Sequence, residues 1–215
     1  MLDNRLPSTP DTATPSGPAT LAEPGPRAGR GRVAETVSQR LRVLTRPQHD
    51  ATEAAFAPFT DDPAGRLDWF LAAQAIALDA LLAAREGAPA PEEGRVADEL
   101  RDALAADCAA RGQTALPGLK AAAPLDTLAV GYIVLGSRLG TVVLAEMLAR
   151  TGARRPAAFS LAMPAGAWRA FRARLDLLPP DGTRAARVAA HAGRGFDVYR
   201  AAAALAWDYC ERPTP

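Results

Sequence analysis

Apolar residues in this chain recur every three or four positions from residue 33 to residue 206, as they do on one face of an α-helix. No segment shows the strict apolar–polar alternation of a half-buried strand. Glycine and proline interrupt the helical pattern and divide it into segments. We therefore predict an all-α, single-domain fold of about seven helices and no sheet, with helices at residues 33–44, 48–57, 67–85, 96–110, 125–150, 164–178 and 183–206.

Residues 1–30 have a different composition, dominated by Pro, Ser, Thr, Gly and Ala, with few large apolar side chains. Such a segment cannot bury enough apolar surface to offset the entropy that is lost on ordering. We expect a disordered tail at residues 1–30, followed by one helical domain at residues 31–210. The chain of 215 residues is long enough for one domain with a sizeable core.

Charge and cysteine content argue against several classes of protein. The 25 basic and 24 acidic side chains give a net charge of +1, which provides no field to attract nucleic acid or an anionic membrane. Cys108 and Cys210 are too few for a disulfide framework and form no Cys-x-x-Cys pair. Because we find neither an uncharged apolar run of about 18 residues nor a secretory signal, we expect a cytoplasmic protein without a membrane span.

Histidine is scarce, which excludes further classes of enzyme. His49 and His191 are the only two, and the HExxH, Walker, GxSxG and Rossmann GxGxxG motifs are all absent. A mononuclear zinc hydrolase needs several His, Cys or carboxylate ligands close together. The sequence therefore lacks the residues that standard hydrolases and nucleotide-binding enzymes use. We expect His191 to be a surface or packing residue.

His49 lies in the segment LRVLTRPQHDATEAAF, which places a carboxylate and an arginine at helical spacing from it. Glu53 follows one turn later, and Arg42 precedes by about two turns if the helix is roughly continuous. A neutral imidazole is a good axial ligand for haem iron, and a carboxylate one turn away can hold its second nitrogen. An arginine at that offset can reach a carboxylate on the rim of a ligand. The alternative is that His49 is a solvated or packed residue near the start of a helix.

Gly136 and Gly140 lie four residues apart in GYIVLGSRLGTVVLAEML, a segment that is otherwise suited to a buried helix. Each glycine costs about 0.5–1 kcal/mol relative to alanine inside a helix. Two of them on one face indicate that something approaches the backbone closely. The neighbour is either another helix or a flat ligand, and the glycines also allow the helix to bend.

Together, LRVLTRPQHDATE and YIVLGSRLG resemble the proximal and distal motifs of the haem oxygenase family, in particular its bacterial, phytochrome-associated branch. The two motifs are about ninety residues apart, and the resemblance spans about residues 32–207. It implies that His49 is the proximal iron ligand, that Glu53 is the group beside it, and that Arg42 pairs with a haem propionate. It also implies that Gly136 and Gly140 leave a narrow space over the iron in which O₂ binds.

The same resemblance implies roles for five further residues. Ser137 occupies the position of a distal aspartate in animal members; bacterial members commonly lack that aspartate and rely on ordered water, so the proton path stays unassigned. Tyr132 belongs to the distal motif. The others lie in stretches that resemble the C-terminal part of the pocket: Arg172 near the propionates, and Phe196 and Tyr199 on the last pocket-lining helix.

The resemblance implies a helical bundle with haem between a proximal helix and a kinked distal helix. The implied reaction is the O₂-dependent cleavage of haem, which is both cofactor and substrate, to biliverdin, CO and ferrous iron. The chain has no flavin or NAD motif, so electrons would come from an external donor such as a ferredoxin or flavodoxin system, and the product could pass to a biliverdin-using photoreceptor. Three alternatives stay open: a haem-binding or haem-sensing protein of the same fold without oxygenase activity, a helical scaffold in which His49 is incidental, and another ligand-binding protein of the same general helical architecture.

Overall fold

The structure is a computed structural model that describes residues 35–211. The predicted tail at residues 1–30 lies outside this part of the chain. Over the described residues the chain is mostly helical, which confirms the prediction of an all-α fold. The elements are α1 Val37–Leu44, α2 Arg46–Ala55, α3 Ala57–Asp61, α4 Leu67–Ala84, β1 Arg85–Glu86, α5 Pro91–Ala109, β2 Leu125–Asp126, α6 Thr127–Ala149, α7 Ala157–Ser160, α8 Ala167–Leu175 and α9 Thr183–Cys210.

Two details of the predicted fold are wrong. The short helices α3 and α7 raise the number in residues 35–211 from about seven to nine, and β1 pairs with β2 in parallel although no sheet was expected. Pro58 lies in the first turn of α3, and Pro156 is the N-cap of α7. Helices of four or five residues are too short to display an apolar period, and the pairing joins only two residues of each strand.

The helices α4 and α9 form the centre of the fold. α4 is buried on nearly every side, as Leu71, Leu78 and Leu81 illustrate, and it packs along α9. A helix that is apolar all round is stable only when neighbours surround it. α2 and α6 also pack against α9, α5 packs against α4, and α8 packs against α6. The predicted site residues of α2 and α6 are therefore positioned by the same central helix.

Two described helices are long and apolar enough to cross a membrane by length and composition alone. α4 has a mean hydropathy of 1.5 and α6 one of 1.8, although α6 carries Arg138 and Glu146. Core helices pass the same test, and the apolar window of α4 is 67% buried inside the fold. The corresponding window of α6 is only 50% buried. This helix therefore leaves one of its faces uncovered.

A buried polar cluster fixes the start of α6 against α9. The Asp126 side chain accepts a hydrogen bond from the Leu128 amide at 2.9 Å, and the Asp126 amide donates to Nδ1 of His191 at 2.8 Å. Arg187 pairs with the same carboxylate at 3.1 Å. Burial lowers the pKa of His191, with a further lowering by Arg194, so the imidazole that accepts this bond is neutral. We expected His191 to be a surface or a packing residue, and the structure shows a buried packing residue.

Candidate functional site

The helices α1 and α2 are nearly one helix, interrupted only at Thr45. This residue keeps a right-handed helical backbone, with φ −94° and ψ 0°. Its amide donates to the Leu41 carbonyl and its carbonyl accepts from the His49 amide, each at 2.9 Å. Pro47 lies in the first turn of α2, where a missing N–H group costs least. Arg42 and His49, which are seven residues apart, therefore lie on the same side of a nearly continuous helix.

One nitrogen of the His49 imidazole faces a carboxylate. Nδ1 lies 3.6 Å from Oε2 of Glu53 and also 3.6 Å from Oδ1 of Asp50, gaps that a bridging water or a small rotation would close. The His49 side chain is 49% exposed, and the edge of its ring meets the Phe196 ring with the centroids 5.6 Å apart. Because Nδ1 faces Glu53, Nε2 is the nitrogen available to bind a metal.

One turn of α9 lies between α2 and α6. On the α2 side, Phe196 meets the His49 ring, and its carbonyl accepts a hydrogen bond from Thr52 at 3.3 Å. On the α6 side, the Tyr199 hydroxyl lies beside Ser137. α2 and α6 share no extended contact of their own within the described structure. Phe196 and Tyr199, which are only 9% and 5% exposed, therefore lie buried on α9 between α2 and α6, and we call the region between these two helices the α2–α6 cleft.

Two glycines near this cleft allow helices to approach each other. A Cβ added at Gly131 of α6 would lie 2.8 Å from the Phe171 ring of α8, a distance that real Cβ atoms do not show. A Cβ added at Gly195 of α9 would clash with Ile133 of α6. Both neighbours are buried. Close packing between helices therefore explains Gly131 and Gly195.

Packing does not explain the two glycines of the distal motif. A Cβ added at Gly140 would meet no atom within 4 Å, and one added at Gly136 would meet only Trp168, at an ordinary 3.9 Å. We expected either another helix or a flat ligand against these glycines. Within the described residues, no helix packs closely against them. α6 runs through both positions without a break, so no interruption of the helix marks the expected kink.

Apolar side chains surround the open glycines. Leu139, Val142 and Val143 of α6 are 49%, 63% and 57% exposed. Large aliphatic side chains at this exposure, contiguous on one helix, are typical of a surface that binds something. This half of α6 therefore offers an apolar surface along which the backbone itself can be reached.

The two arginines that the resemblance assigned to propionates lie at the α1 end of the cleft. Nε of Arg172 donates to the Ser38 hydroxyl at 3.3 Å, and Arg42 follows Ser38 by one helical turn. Asp176 also hydrogen-bonds to Ser38, and no described carboxylate comes within ion-pair distance of either arginine. The cleft thus has two arginines without a direct ion pair at one end, although the Ser38 hydroxyl links Arg172 to the Asp176 carboxylate. The signal of Ser38 in the sequence is its position one turn before Arg42.

Tyr132 packs against Trp168, with the ring centroids 5.8 Å apart, and Trp168 in turn stacks on Phe171 at 5.7 Å. Trp168 is also the nearest neighbour of Gly136. Tyr132 therefore acts through Trp168, and the two rings close the α8 end of the open glycine surface. Trp168 is absent from the predicted site, although the sequence shows it four residues before Arg172.

The Ser137 side chain bonds to its own helix, close to Tyr199. Its hydroxyl donates to the Val134 carbonyl at 2.9 Å, which uses its only proton. Burial raises the pKa of Tyr199 to about 12, against opposing effects of Arg138 and of the hydrogen bond with Ser137. In this arrangement the hydroxyl proton of Ser137 points to its own helix.

Arg138 is a buried charge that no sequence pattern singled out. Its guanidinium donates to the Leu161 carbonyl at 2.8 Å and to the Thr141 hydroxyl at 3.3 Å. Within residues 35–211 no carboxylate accepts from it, and burial lowers its pKa. The available signal was an arginine in the middle of an apolar helix, inside the motif GSRLG itself. Arg138 ties α6 to the segment before α8.

His49, Asp50 and Glu53 also form a group of three possible metal ligands whose atoms lie within 4.8 Å of one another, all exposed. Arg46, however, binds the Asp50 carboxylate at 2.7 Å, and its hydrogen bond lowers the pKa of that carboxyl. A guanidinium at this place occupies one ligand and repels a divalent cation. The arrangement therefore favours the pair of His49 and Glu53 over a three-ligand metal site.

A cavity of about 480 Å³ lies away from the predicted site, between α1, the Gln48 side of α2 and the first half of α9. Leu41, Leu44 and Gly193 are among the residues that line it, and no predicted site residue does. This cavity contains no histidine, so it offers no axial ligand for haem iron. The α2–α6 cleft is not part of it.

The α2–α6 cleft combines a histidine with an available nitrogen, an exposed apolar surface and two arginines without a direct ion pair at one end. These groups suit a flat apolar ligand that carries negative charges on its rim and a metal at its centre. No protein-family model, no curated protein and no solved structure matches this chain. The residues of the cleft are therefore the basis on which a function is assigned.

Proposed function

We propose that the protein is a haem oxygenase that binds haem in the α2–α6 cleft. The observation that carries this proposal is the open space at Gly136 and Gly140 of α6, the helix whose Ser137 interacts with Tyr199 on the turn of α9 that also contacts His49. Each of these glycines costs about 0.5–1 kcal/mol in a helix, and no packing contact offsets that cost. A flat ligand that lies against the backbone of α6 would explain why both positions are glycine.

The donor set of the cleft fits haem. His49 would bind the iron through Nε2, and Glu53 would fix the ring and its tautomer through Nδ1. Arg42 and Arg172 would pair with the two propionates at the α1 end, where neither arginine has a direct ion pair among the described residues. Phe196, whose ring meets the His49 imidazole, would contact the edge of the macrocycle.

Haem is the substrate, and when bound it supplies both the iron at which O₂ is reduced and the ring that is cut to biliverdin, CO and ferrous iron. The chain orients and shields this chemistry. Because Gly136 and Gly140 carry no side chain, the backbone of α6 can limit the directions open to a small molecule on the face away from His49. Leu139 and Val143 beside the glycines exclude bulk water from that space.

The proposal includes partners and a compartment. Electrons would be delivered by a ferredoxin or flavodoxin system, and biliverdin would be passed on, for example to a photoreceptor that uses it. A reducing cytoplasm suits a protein with two unpaired cysteines, Cys108 and Cys210, which are both free thiols here.

Haem titration followed by absorbance tests the binding step. We expect one haem per chain and the spectrum of a histidine-ligated iron. His49→Ala should weaken binding at least tenfold or abolish this spectrum. Asp61→Ala is the control, since Asp61 is also an exposed carboxylate and lies outside α2, at the end of α3. An unchanged spectrum in His49→Ala would contradict the proposal that His49 binds the iron.

Turnover with a reducing system and O₂ tests the chemical step. We expect the wild-type protein to produce biliverdin, identified by its mass and isomer. Gly140→Leu should keep the fold, because a Cβ at this position meets nothing within 4 Å, and should block turnover by filling the ligand space. Normal turnover by Gly140→Leu would place the reaction elsewhere.

A haem-binding or haem-sensing protein without oxygenase activity is the second candidate. It is favoured by the state of the hydroxyls beside the cleft: the Ser137 hydroxyl donates its hydrogen bond to the Val134 carbonyl, and burial raises the pKa of Tyr199 to about 12. Stoichiometric haem binding without biliverdin would select this candidate. A failed haem titration would instead select a helical scaffold in which His49 is incidental.

A further inference from the structure

A small cavity lies between α5, the start of α6 and the strand β1. Glu93, Thr127 and Gly131 are among the residues that line it. Its volume is about 10 Å³, which corresponds to about one water molecule and excludes any larger ligand. It is separate from the α2–α6 cleft.

Two of the residues that line this cavity bury an oxygen atom that has no partner among the described residues. These atoms are Oε2 of Glu93 and Oγ1 of Thr127. The two residues are only 7% and 9% exposed. A buried acceptor without a hydrogen bond bears the full loss of its hydration, and this loss is larger for a carboxylate than for a neutral group.

Glu93 already has an ionic partner, although burial raises the pKa of its carboxyl. Arg174 of α8 forms an ion pair with its other carboxylate oxygen, Oε1. The cavity therefore needs a hydrogen-bond donor and not a positive charge. A metal cation would also need more oxygen ligands than the two unpartnered atoms here. Water is the ligand that matches both the volume and the charge.

We propose that one water molecule is a built-in part of the fold at this place. It donates one hydrogen bond to Oε2 of Glu93 and forms a second with Oγ1 of Thr127. Through Glu93 and Arg174 it connects α5, α6 and α8. Gly131 leaves room for the carboxylate, since a Cβ there would lie 3.3 Å from Oε2 of Glu93. This proposal does not depend on the proposed oxygenase function.

A crystal structure of the full chain that resolves ordered waters tests the site directly. We expect one density peak at about 2.6–3.2 Å from both oxygen atoms. An empty cavity would overturn the proposal, and so would a cavity filled by the guanidinium of Arg85, which also lines it.

Two substitutions at one position give a test in solution. Thr127→Val keeps the shape but removes the hydroxyl, so it should lower the equilibrium constant for folding about tenfold, the loss expected when a buried group loses its partner. Thr127→Ser keeps the hydroxyl and should retain both the water peak and most of the stability. Equal stability of the two variants would contradict the proposal. If Thr127→Val does not fold, the density in the wild-type and Thr127→Ser crystals decides the question.

Discussion

The two halves of α6 contain glycine for different reasons. In the first half, residues 127–135, Gly131 lies against the Phe171 ring, and the helix is buried nearly throughout. In the second half, Gly136 and Gly140 have open space beside them. The same residue type in one helix thus marks a helix contact in one place and an accessible backbone in the other. Glycine spacing alone does not separate the two cases, whereas the space beside each Cα does.

The halves also differ in how they are held. The first half begins at Asp126, which is bonded to His191 and Arg187. The second half is tied through Arg138, which donates to the Leu161 carbonyl. The start of α6 is therefore anchored, and its second half exposes backbone at Gly136 and Gly140 to a ligand in the α2–α6 cleft.

Gly131→Ala should produce the largest change in stability, and the change should be a loss. Overpacking a buried site costs about 1–3 kcal/mol, and alanine regains about 0.5–1 kcal/mol of helix propensity. We expect the free energy of unfolding to fall by about 1–2 kcal/mol, measured by urea denaturation with an unchanged m-value. Unchanged stability would mean that the Phe171 ring moves aside freely and that the first half of α6 is not tightly packed.

Gly140→Ala is the matched substitution in the second half, and its effect should have the opposite sign. The added methyl group meets nothing within 4 Å, so only helix propensity changes. Without haem, the free energy of unfolding should rise by about 0.5–1 kcal/mol. If haem lies against this face, its affinity should fall in the same variant. A destabilised haem-free variant would show that part of the protein covers Gly140.

Acidification should weaken the start of α6 by a smaller amount. The pKa of His191 in the folded protein is lowered by burial, so protonation there must break the bond from the Asp126 amide. This contribution to stability is fully present above the unfolded-state pKa of about 6.5. It is lost as the pH falls through the lower pKa of the folded protein.

The protection factor of the Asp126 amide, measured by hydrogen exchange between pH 7.5 and pH 5, would report this effect, with the amides of the second half of α6 as the internal reference. An equal fall in protection factor along all of α6 would contradict a local role of His191. His191→Gln provides the control, because it removes the titrating group.

The sequence predicted the long helices because their apolar periods are long enough to be read. It placed the start of α5 at residue 96, whereas α5 begins at Pro91. Gly94 and the charges around it hide the apolar period there, yet a proline in the first turn and two acidic residues after it favour a helix start. For α3, α7 and the β1–β2 pairing, no more than five residues carry the signal in each element.

The candidate site was predictable to the extent that it lies on one helix. The spacing of Arg42, His49 and Glu53 fixes their common side, because seven and four residues are close to whole turns. The contact between His49 and Phe196 joins residues far apart in the sequence, and no local pattern encodes it. For the same reason, the sequence could not show that Phe171 fills the space beside Gly131 while nothing fills the space beside Gly140.

The near-continuity of α1 and α2 has a consequence for affinity. Pro47 has a fixed φ angle, and Thr45 keeps a helical backbone and is bonded on both sides, so the segment that carries His49 is already rigid before a ligand arrives. Little conformational freedom of the main chain remains to be lost when the imidazole engages a ligand. Binding at this histidine should therefore lose little entropy to ordering, and more of the interaction energy should appear as affinity.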